Sequence, residues 1–389
     1  MNRWYAAVAT IAIIAFGCGI LAGYYKIIPF DKLDIELSLP PPNGFQTNSA
    51  QQIYDDERSV LERISINSEE ELLQKRHEMI DYIWMGSGFP TRFPENIELD
   101  VKMNDFNNIR NLEQIDKFTI LMDFGKNESK FLKSKESEVV STAYLFQAKN
   151  QKSDLMIHHQ GHNEQSISDS KNVIRFFLDN GYSVLVFSMP LREGNNEPIV
   201  DTIRFGKLKL ATHNHLTIID NEFFNPMRFF VEPITVTLNY VEKYRDYQYI
   251  HMMGISGGGW TTIVYSALDM RISHSYPIAG AFPFYMRQTV SDLGDYEQTV
   301  IDFYEIVNYE ELFVMDGYGE NRKSIQFFNY GDPCCFQAET YDKSPYGEII
   351  NEKLTQLGLG KFSVILDKST TKHEVTDFVL EKILSDIEN

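Results

Sequence analysis

The run Tyr249-Ile250-His251-Met252-Met253-Gly254-Ile255-Ser256-Gly257-Gly258-Gly259-Trp260 restricts the fold of this chain more than any other stretch. Apolar strand formers lead into Gly-x-Ser-x-Gly, and a helical pattern carried by Thr261, Thr262, Ile263, Val264, Tyr265, Ala267 and Leu268 follows. Strand, sharp turn and helix in that order make a nucleophile elbow. Glycines at 254 and 258 leave room where the strand folds back on the helix, and the turn holds Ser256 in a strained conformation with its hydroxyl exposed. The helix opening at Gly257 then aims backbone N–H groups at whatever negative charge develops on a bound molecule. A glycine-rich turn between any strand and helix also matches this motif by chance, so the reading rests on its partners.

The surroundings predict the scaffold. From Phe118 onward, strand and helix signals alternate: Phe118–Met122 and Ala143–Phe146 read as an opening hairpin, and Leu155–His158 as the next strand. Val173–Leu178 is an amphipathic helix closed by Asn180-Gly181, and Ser183–Phe187 a buried strand. This alternation implies an α/β fold with a mostly parallel sheet flanked by helices. Function then belongs at the carboxyl ends of the strands.

In α/β-hydrolases, where such an elbow carries the nucleophile, the acid and the histidine follow it along the chain in that order. Of the nine histidines only His274 and His373 lie beyond Ser256. His274 enters the apolar run Ser275–Gly280, too early for any acid-bearing loop to precede it. His373 sits in the polar loop Ser369–Glu374, after the strand-like Phe362–Leu366 and before a final helix, Val375–Ile387. For the acid, Asp332 follows the strand-like Ser324–Tyr330 directly, where a carboxylate can hold an imidazole in one tautomer. Asp367 is the fallback, and an ordinary Asp-Pro turn is the bland alternative for Asp332.

These motifs resemble the α/β-hydrolase superfamily, in the branch of dienelactone hydrolases, acetyl xylan esterases and prolyl-oligopeptidase-type serine hydrolases. The resemblance covers roughly Phe118 to the end and is carried by the Gly161 loop, Gly254-Ile255-Ser256-Gly257-Gly258, Asp332 and His373. It implies ester or amide hydrolysis through Ser256, His373 and Asp332. The oxyanion hole would be made by the backbone N–H of Gly257 and that of His162 or, failing it, Gln160. The chain departs from the branch in its His-Gln-Gly-His form of the oxyanion loop and in the long insertion after Phe187. A carboxylic ester, acyl or carbohydrate, is the expected substrate. A peptidase or amidase with the same triad, or a non-catalytic membrane-tethered binding protein, is the alternative. No cofactor is implied, because nucleophile, base and oxyanion donors are all protein groups. His158, His159 and His162 raise a metal site, but no acid or cysteine completes a recognisable spacing, so none is expected.

Insertions at about 190–221 and 282–321 leave the sheet on the strand-end side and are expected to roof the site. Arg192, Arg228 and Arg287, with His213 and His215, are the groups there that would meet a substrate. After the first insertion, Phe223–Pro233 leads into a helix reaching Tyr244.

The rest of the chain sets its surroundings. A net charge of −19 and no basic patch argue against nucleic acid as a partner. Cys18, Cys334 and Cys335 are too few for a disulfide framework, and adjacent cysteines rarely bridge one another, so the fold is not expected to rely on disulfides. Trp4–Tyr25 holds no charged side chain, is about long enough to span a bilayer, and has aromatic residues at both ends. Residues 1–28 are therefore read as an uncleaved signal anchor, a single membrane pass with the remaining chain outside the cytoplasm, a cleaved signal peptide being the rival reading. Residues 29–52 form an extended linker, 53–115 a helical extension and 116–389 the hydrolase-like domain.

Overall fold

The computed structural model describes residues 59–123, 138–192, 194–202, 206–221, 224–287 and 293–389. The anchor, the linker and the start of the helical extension lie outside the described residues. No helix among the described residues is long and apolar enough to cross a membrane.

The strands are β1 (Asn96–Glu98), β2 (Leu112–Asp123), β3 (Glu138–Ala148), β4 (Asp154–His159), β5 (Ser183–Phe187), β6 (Ile199–Thr202), β7 (Gly206–Lys209), β8 (Tyr249–Ile255), β9 (Ile272–Ile278), β10 (Lys323–Asn329) and β11 (Phe362–Asp367). β6 and β7 form a separate hairpin, and the other nine make one sheet in the order β1-β2-β3-β5-β4-β8-β9-β10-β11. β1, β2 and β3 are antiparallel to their neighbours. From β5 to β11 every pairing is parallel. Apart from the edge strand β11, the parallel strands are buried on both faces for most of their length, as β5 is throughout, and this is why they read as continuous apolar runs rather than alternating ones.

Register decides where the site falls. His159 pairs with Phe187 on one side and Gly254 on the other, Ile255 and Phe327 both pair with Ile278, and Asn329 pairs with Asp367. The carboxyl ends therefore line up. The residues that follow them, Gln160 to His162, Ser256, Gly331-Asp332 and Lys368 to His373, leave the sheet along one edge.

Helices cover both faces over two separate cores. One face carries α1 (Glu69–Trp84), α3 (Arg228–Tyr244), α4 (Gly257–Leu268), α5 (Tyr309–Gly317) and α6 (Gly347–Leu357). The other carries α2 (Lys171–Asp179) and α7 (Asp377–Ile387). α1 buries Leu72, Arg76, Met79 and Ile83, one stripe at helical spacing, and Ser68 caps its first turn by accepting from the Glu71 N–H at 3.2 Å. It is fastened to α4 by Arg76 Nε, which donates to the Ala267 carbonyl at 2.8 Å, and to α3 by Trp84 Nε1, which donates to Glu232 at 2.9 Å.

Several expectations need correcting. The boundary drawn at 115/116 falls inside β2, and β1 lies within the segment read as a helical extension, because its short extended stretch is too brief to show a period of two. α3 starts at Arg228 and runs through Pro233. A proline there costs about 3 kcal/mol of helix propensity, which burial of Phe229, Phe230, Val231 and Ile234 offsets. The second insertion is not all roof, since α5 is buried along its whole length against the sheet. Cys334 and Cys335 do bridge each other.

Candidate active site

Ser256 closes β8 and opens α4 with φ 58° and ψ −123°, a conformation strained for a residue with a side chain. Its backbone N–H donates to the Ile278 carbonyl at 2.9 Å, so the tip of β9 holds the turn in place. The glycines are required as the sequence indicates. A Cβ on Gly254 would stand 2.2 Å from the Gly258 carbonyl oxygen, and one on Gly258 would stand 2.2 Å from that of His159. Strand, elbow and neighbouring loop can touch only as bare backbone.

Asp332 and His373 come together although 41 residues separate them. His373 Nδ1 donates to Asp332 Oδ2 at 2.7 Å, and the carboxylate is fully buried. The other carboxylate oxygen accepts from the backbone N–H of Cys334 at 2.8 Å and of Cys335 at 3.4 Å. With Nδ1 engaged as a donor, His373 Nε2 is buried without a hydrogen-bond partner. A neutral imidazole held this way presents a lone pair at Nε2, the form a general base needs. The fallback acid is engaged elsewhere: Asp367 accepts from Ser369 N and Oγ at 2.7 and 2.6 Å, and from the Thr376 hydroxyl.

The loop after β4 closes over the elbow. A Cβ on Gly161 would lie 3.0 Å from the Ser256 Cβ, so loop and serine are in contact. The Gln160 N–H is already bonded to the Phe187 carbonyl at 2.9 Å and the Gly161 N–H to Glu164 at 2.6 Å. Those of His162 and Gly257 have no partner among the described residues. Of the two donors considered in this loop, Gln160 is therefore spent and His162 is free. Burial pushes the Glu164 carboxyl up to about 7, opposed by its bond from Gly161 and by the nearby His373. Glu164 was not singled out from the sequence, where nothing but its distance of three residues from Gly161 marks it.

The histidine-rich stretch divides two ways. His158 and His159 point into the core, where burial lowers them to about 3 and about 4, so both are neutral near pH 7. His162 turns outward over Gly257, where an added Cβ would meet its ring at 2.4 Å. There it meets residues from both insertions: Nε2 lies 2.9 Å from His213 Nδ1, 3.1 Å from Asp295 Oδ2 and 3.4 Å from Glu297 Oε1. Burial alone would lower its pKa, but the Asp295 and Glu297 carboxylates raise it to about 9.

The arginines expected to face a substrate fare differently. Arg228 is bound to Glu232 at 2.7 Å, a carboxylate that also receives Arg92 at 2.9 Å. Arg287 is buried, donates to the Phe282 and Leu293 carbonyls, and stacks on Tyr309 at 4.2 Å, leaving Nη2 without a partner. Arg192 is half-buried in the first insertion, and His215 Nδ1 accepts from the Ala211 N–H at 3.1 Å.

No family model and no curated protein matches the chain. Among solved structures, a glucuronoyl esterase from Solibacter usitatus is similar over 82% of this chain and 93% of its own, at 13% identity and a TM-score of 0.51. A second structure of a glucuronoyl esterase from Solibacter usitatus covers 85% and 96%, at 12% identity and a TM-score of 0.51. This chain has the α/β-hydrolase fold. Acetyl xylan esterase 1 from Thermoanaerobacterium sp. JW/SL YS485 is also similar, at 11% identity over 84% of this chain and 96% of its own, with a TM-score of 0.47. The elbow lies at the end of β8, and the carboxylate–imidazole pair beyond the ends of β10 and β11.

Proposed function

We propose that the chain is a serine hydrolase of carboxylic esters, with Ser256 as nucleophile, His373 as general base and acid, and Asp332 as the residue orienting His373. The observation that carries this reading is the His373 imidazole, bonded through Nδ1 to buried Asp332 and left with an unpaired Nε2.

In the proposed reaction, Ser256 Oγ adds to the ester carbonyl as its proton passes to His373 Nε2. The N–H groups of Gly257 and His162 receive the negative oxygen. Collapse expels the alcohol, which takes the proton from Nε2, and leaves an acyl-serine. Water attacks that ester by the same route in reverse roles and releases the acid. Asp332 stays ionised throughout and stabilises the imidazolium.

The glucuronoyl esterase fold-mates make carbohydrate-linked esters the first substrates to try. The test is fluorophosphonate labelling of the full-length protein beside Ser256→Ala and His373→Ala. Labelling abolished by the first change and slowed at least ~1,000-fold by the second is expected. A Ser256→Ala protein that still turns over esters would overturn the assignment. A panel of acetyl, aryl and uronate esters beside peptide amides then separates esterase from peptidase.

A further inference from the structure

The cluster around His162 has a composition and geometry that the proposed hydrolysis does not use. We propose that His162, His213, Asp295 and Glu297 bind one divalent transition metal ion of the zinc type, which fastens the loop after β4 to both insertions.

Their ligand atoms all lie within 4.8 Å of one another. Around a tetrahedral zinc with bonds of roughly 2.1 Å, ligand atoms stand about 3.4 Å apart. The pairs here are 2.9 Å (His162 Nε2 to His213 Nδ1), 3.1 Å (His162 Nε2 to Asp295 Oδ2), 3.4 Å (His162 Nε2 to Glu297 Oε1) and 3.0 Å (His213 Nδ1 to Glu297 Oε2). Two imidazoles and two carboxylates suit zinc in both charge and softness.

Protons satisfy this arrangement poorly. His213 Nε2 lies 2.9 Å from the Pro190 carbonyl, an acceptor only, so that nitrogen carries the hydrogen. That leaves Nδ1 as the ring nitrogen facing both Glu297 Oε2 and His162 Nε2. A backbone carbonyl on the far nitrogen is the usual means of fixing a metal-bound histidine. At 2.9 Å, the facing nitrogens of His162 and His213 have room for one hydrogen between them, so both cannot be protonated there. One hydrogen on His162 Nε2 cannot serve three acceptors at once, whereas a single cation can contact all four ligands.

Glu297 supplies the independent sign. Its side chain is completely buried, and the group nearest Oε1 is His162 Nε2 at 3.4 Å, a nitrogen that also faces Asp295 and His213 and makes no well-formed hydrogen bond to it. A buried carboxylate oxygen held only at that distance is a group that a cation would satisfy better than a shared proton. Asp295, with its side chain 41% exposed, gives an ion a way in. The ligands come from three separate segments, so the ion would cross-link them beside the elbow, the His162 ring lying directly over Gly257. With four protein ligands the site is closed, and its role is to position the His162 loop.

The test uses the full-length protein stripped with a chelator. Zn2+ is titrated in competition with a chromophoric chelator, and Co2+ and Mn2+ are titrated separately. One equivalent of Zn2+ is expected, with Co2+ giving the intense visible bands of a four-coordinate site. His213→Ala and Glu297→Gln should each weaken Zn2+ binding at least ~100-fold. Should either fail to fold by circular dichroism, Asp295→Asn at the exposed ligand decides in its place, with at least a ~10-fold loss expected. Ser256→Ala should bind Zn2+ like the parent, which keeps this result separate from the fate of the hydrolase reading. Folded protein that takes up none of the three metals stoichiometrically, or ligand variants that bind as tightly as the parent, would overturn the proposal.

Discussion

Replacing Asp332 by asparagine tests the site most sharply, because the surroundings dictate how the amide must sit. One oxygen of Asp332 accepts two backbone N–H groups, from Cys334 and Cys335, and the other accepts from His373 Nδ1. An amide NH2 cannot face two donors, so the carbonyl of the new side chain must take the backbone side and its NH2 must face the imidazole. His373 Nδ1 is then forced to accept, its hydrogen moves to Nε2, and the lone pair that would take the serine proton is gone. The side chain keeps its shape and three hydrogen bonds, so the fold is expected to survive. Inversion of the tautomer costs about 10,000-fold in turnover in the serine protease triad, equivalent to about 5 kcal/mol of barrier. The assay is kcat on an activated aryl ester, with fluorophosphonate labelling rates alongside and Asp367→Asn as control. The control should change kcat by less than about threefold, since Asp367 serves only Ser369 and Thr376. A loss below about tenfold for Asp332→Asn in well-folded protein, or an equal loss in the control, would refute the reasoning.

Two further predictions concern stability. Asp316 is buried on α5 with Oδ1 unpaired, and burial pushes its pKa up to about 7 despite the Ser324 hydroxyl at 2.6 Å. The folded state thus holds a proton that the unfolded chain releases near pH 4, so stability falls as pH rises from about 4 to 7 and is level above, by roughly 4 kcal/mol in all. Asp316→Asn should remove that dependence, and urea midpoints at pH 5 and pH 8 whose difference matches wild type would contradict it. Glu232 accepts from Trp84, Arg92 and Arg228 at 2.9, 2.9 and 2.7 Å while almost wholly buried. Glu232→Ala should cost about 3 kcal/mol, the partial exposure of both arginines keeping it at the low end for a broken buried pair, and denaturant unfolding measures it.

What the sequence disclosed and what it withheld follow the range of the interactions involved. The elbow was legible because its requirements are local: bare backbone at Gly254 and Gly258 for close approach, apolar residues before and helical spacing after. β4 and β5 were legible because strands of a parallel sheet, buried on both faces, write themselves as short apolar runs. β1 was missed because it is held by pairing with β2 and by nothing in its own composition. The meeting of Asp332 and His373 was reached from chain order and strand-end position, and their 2.7 Å contact depends on the aligned ends of β10 and β11. The Cys334–Cys335 bridge was judged against because adjacency is rare, and composition carries no sign of it.

The His162 cluster marks the limit of such reading, and its cause is instructive. From the sequence, the question is whether His158, His159 and His162 could share an ion, and no acid or cysteine completes a recognisable spacing around them. The relevant partners lay 51 residues on, at His213, and much further still, at Asp295 and Glu297, in insertions with no secondary-structure period to place them. Ligand spacing is readable only when one short element supplies most of the ligands. Here each segment supplies at most two, and the sheet brings them together only because β4, β5 and β9 all end on the same edge. The alignment that joins Asp332 to His373 and puts Ser256 on the same edge therefore also gathers the groups proposed to hold the ion. A substitution that shifted the register of β4 against β8 would be expected to disturb both sites together.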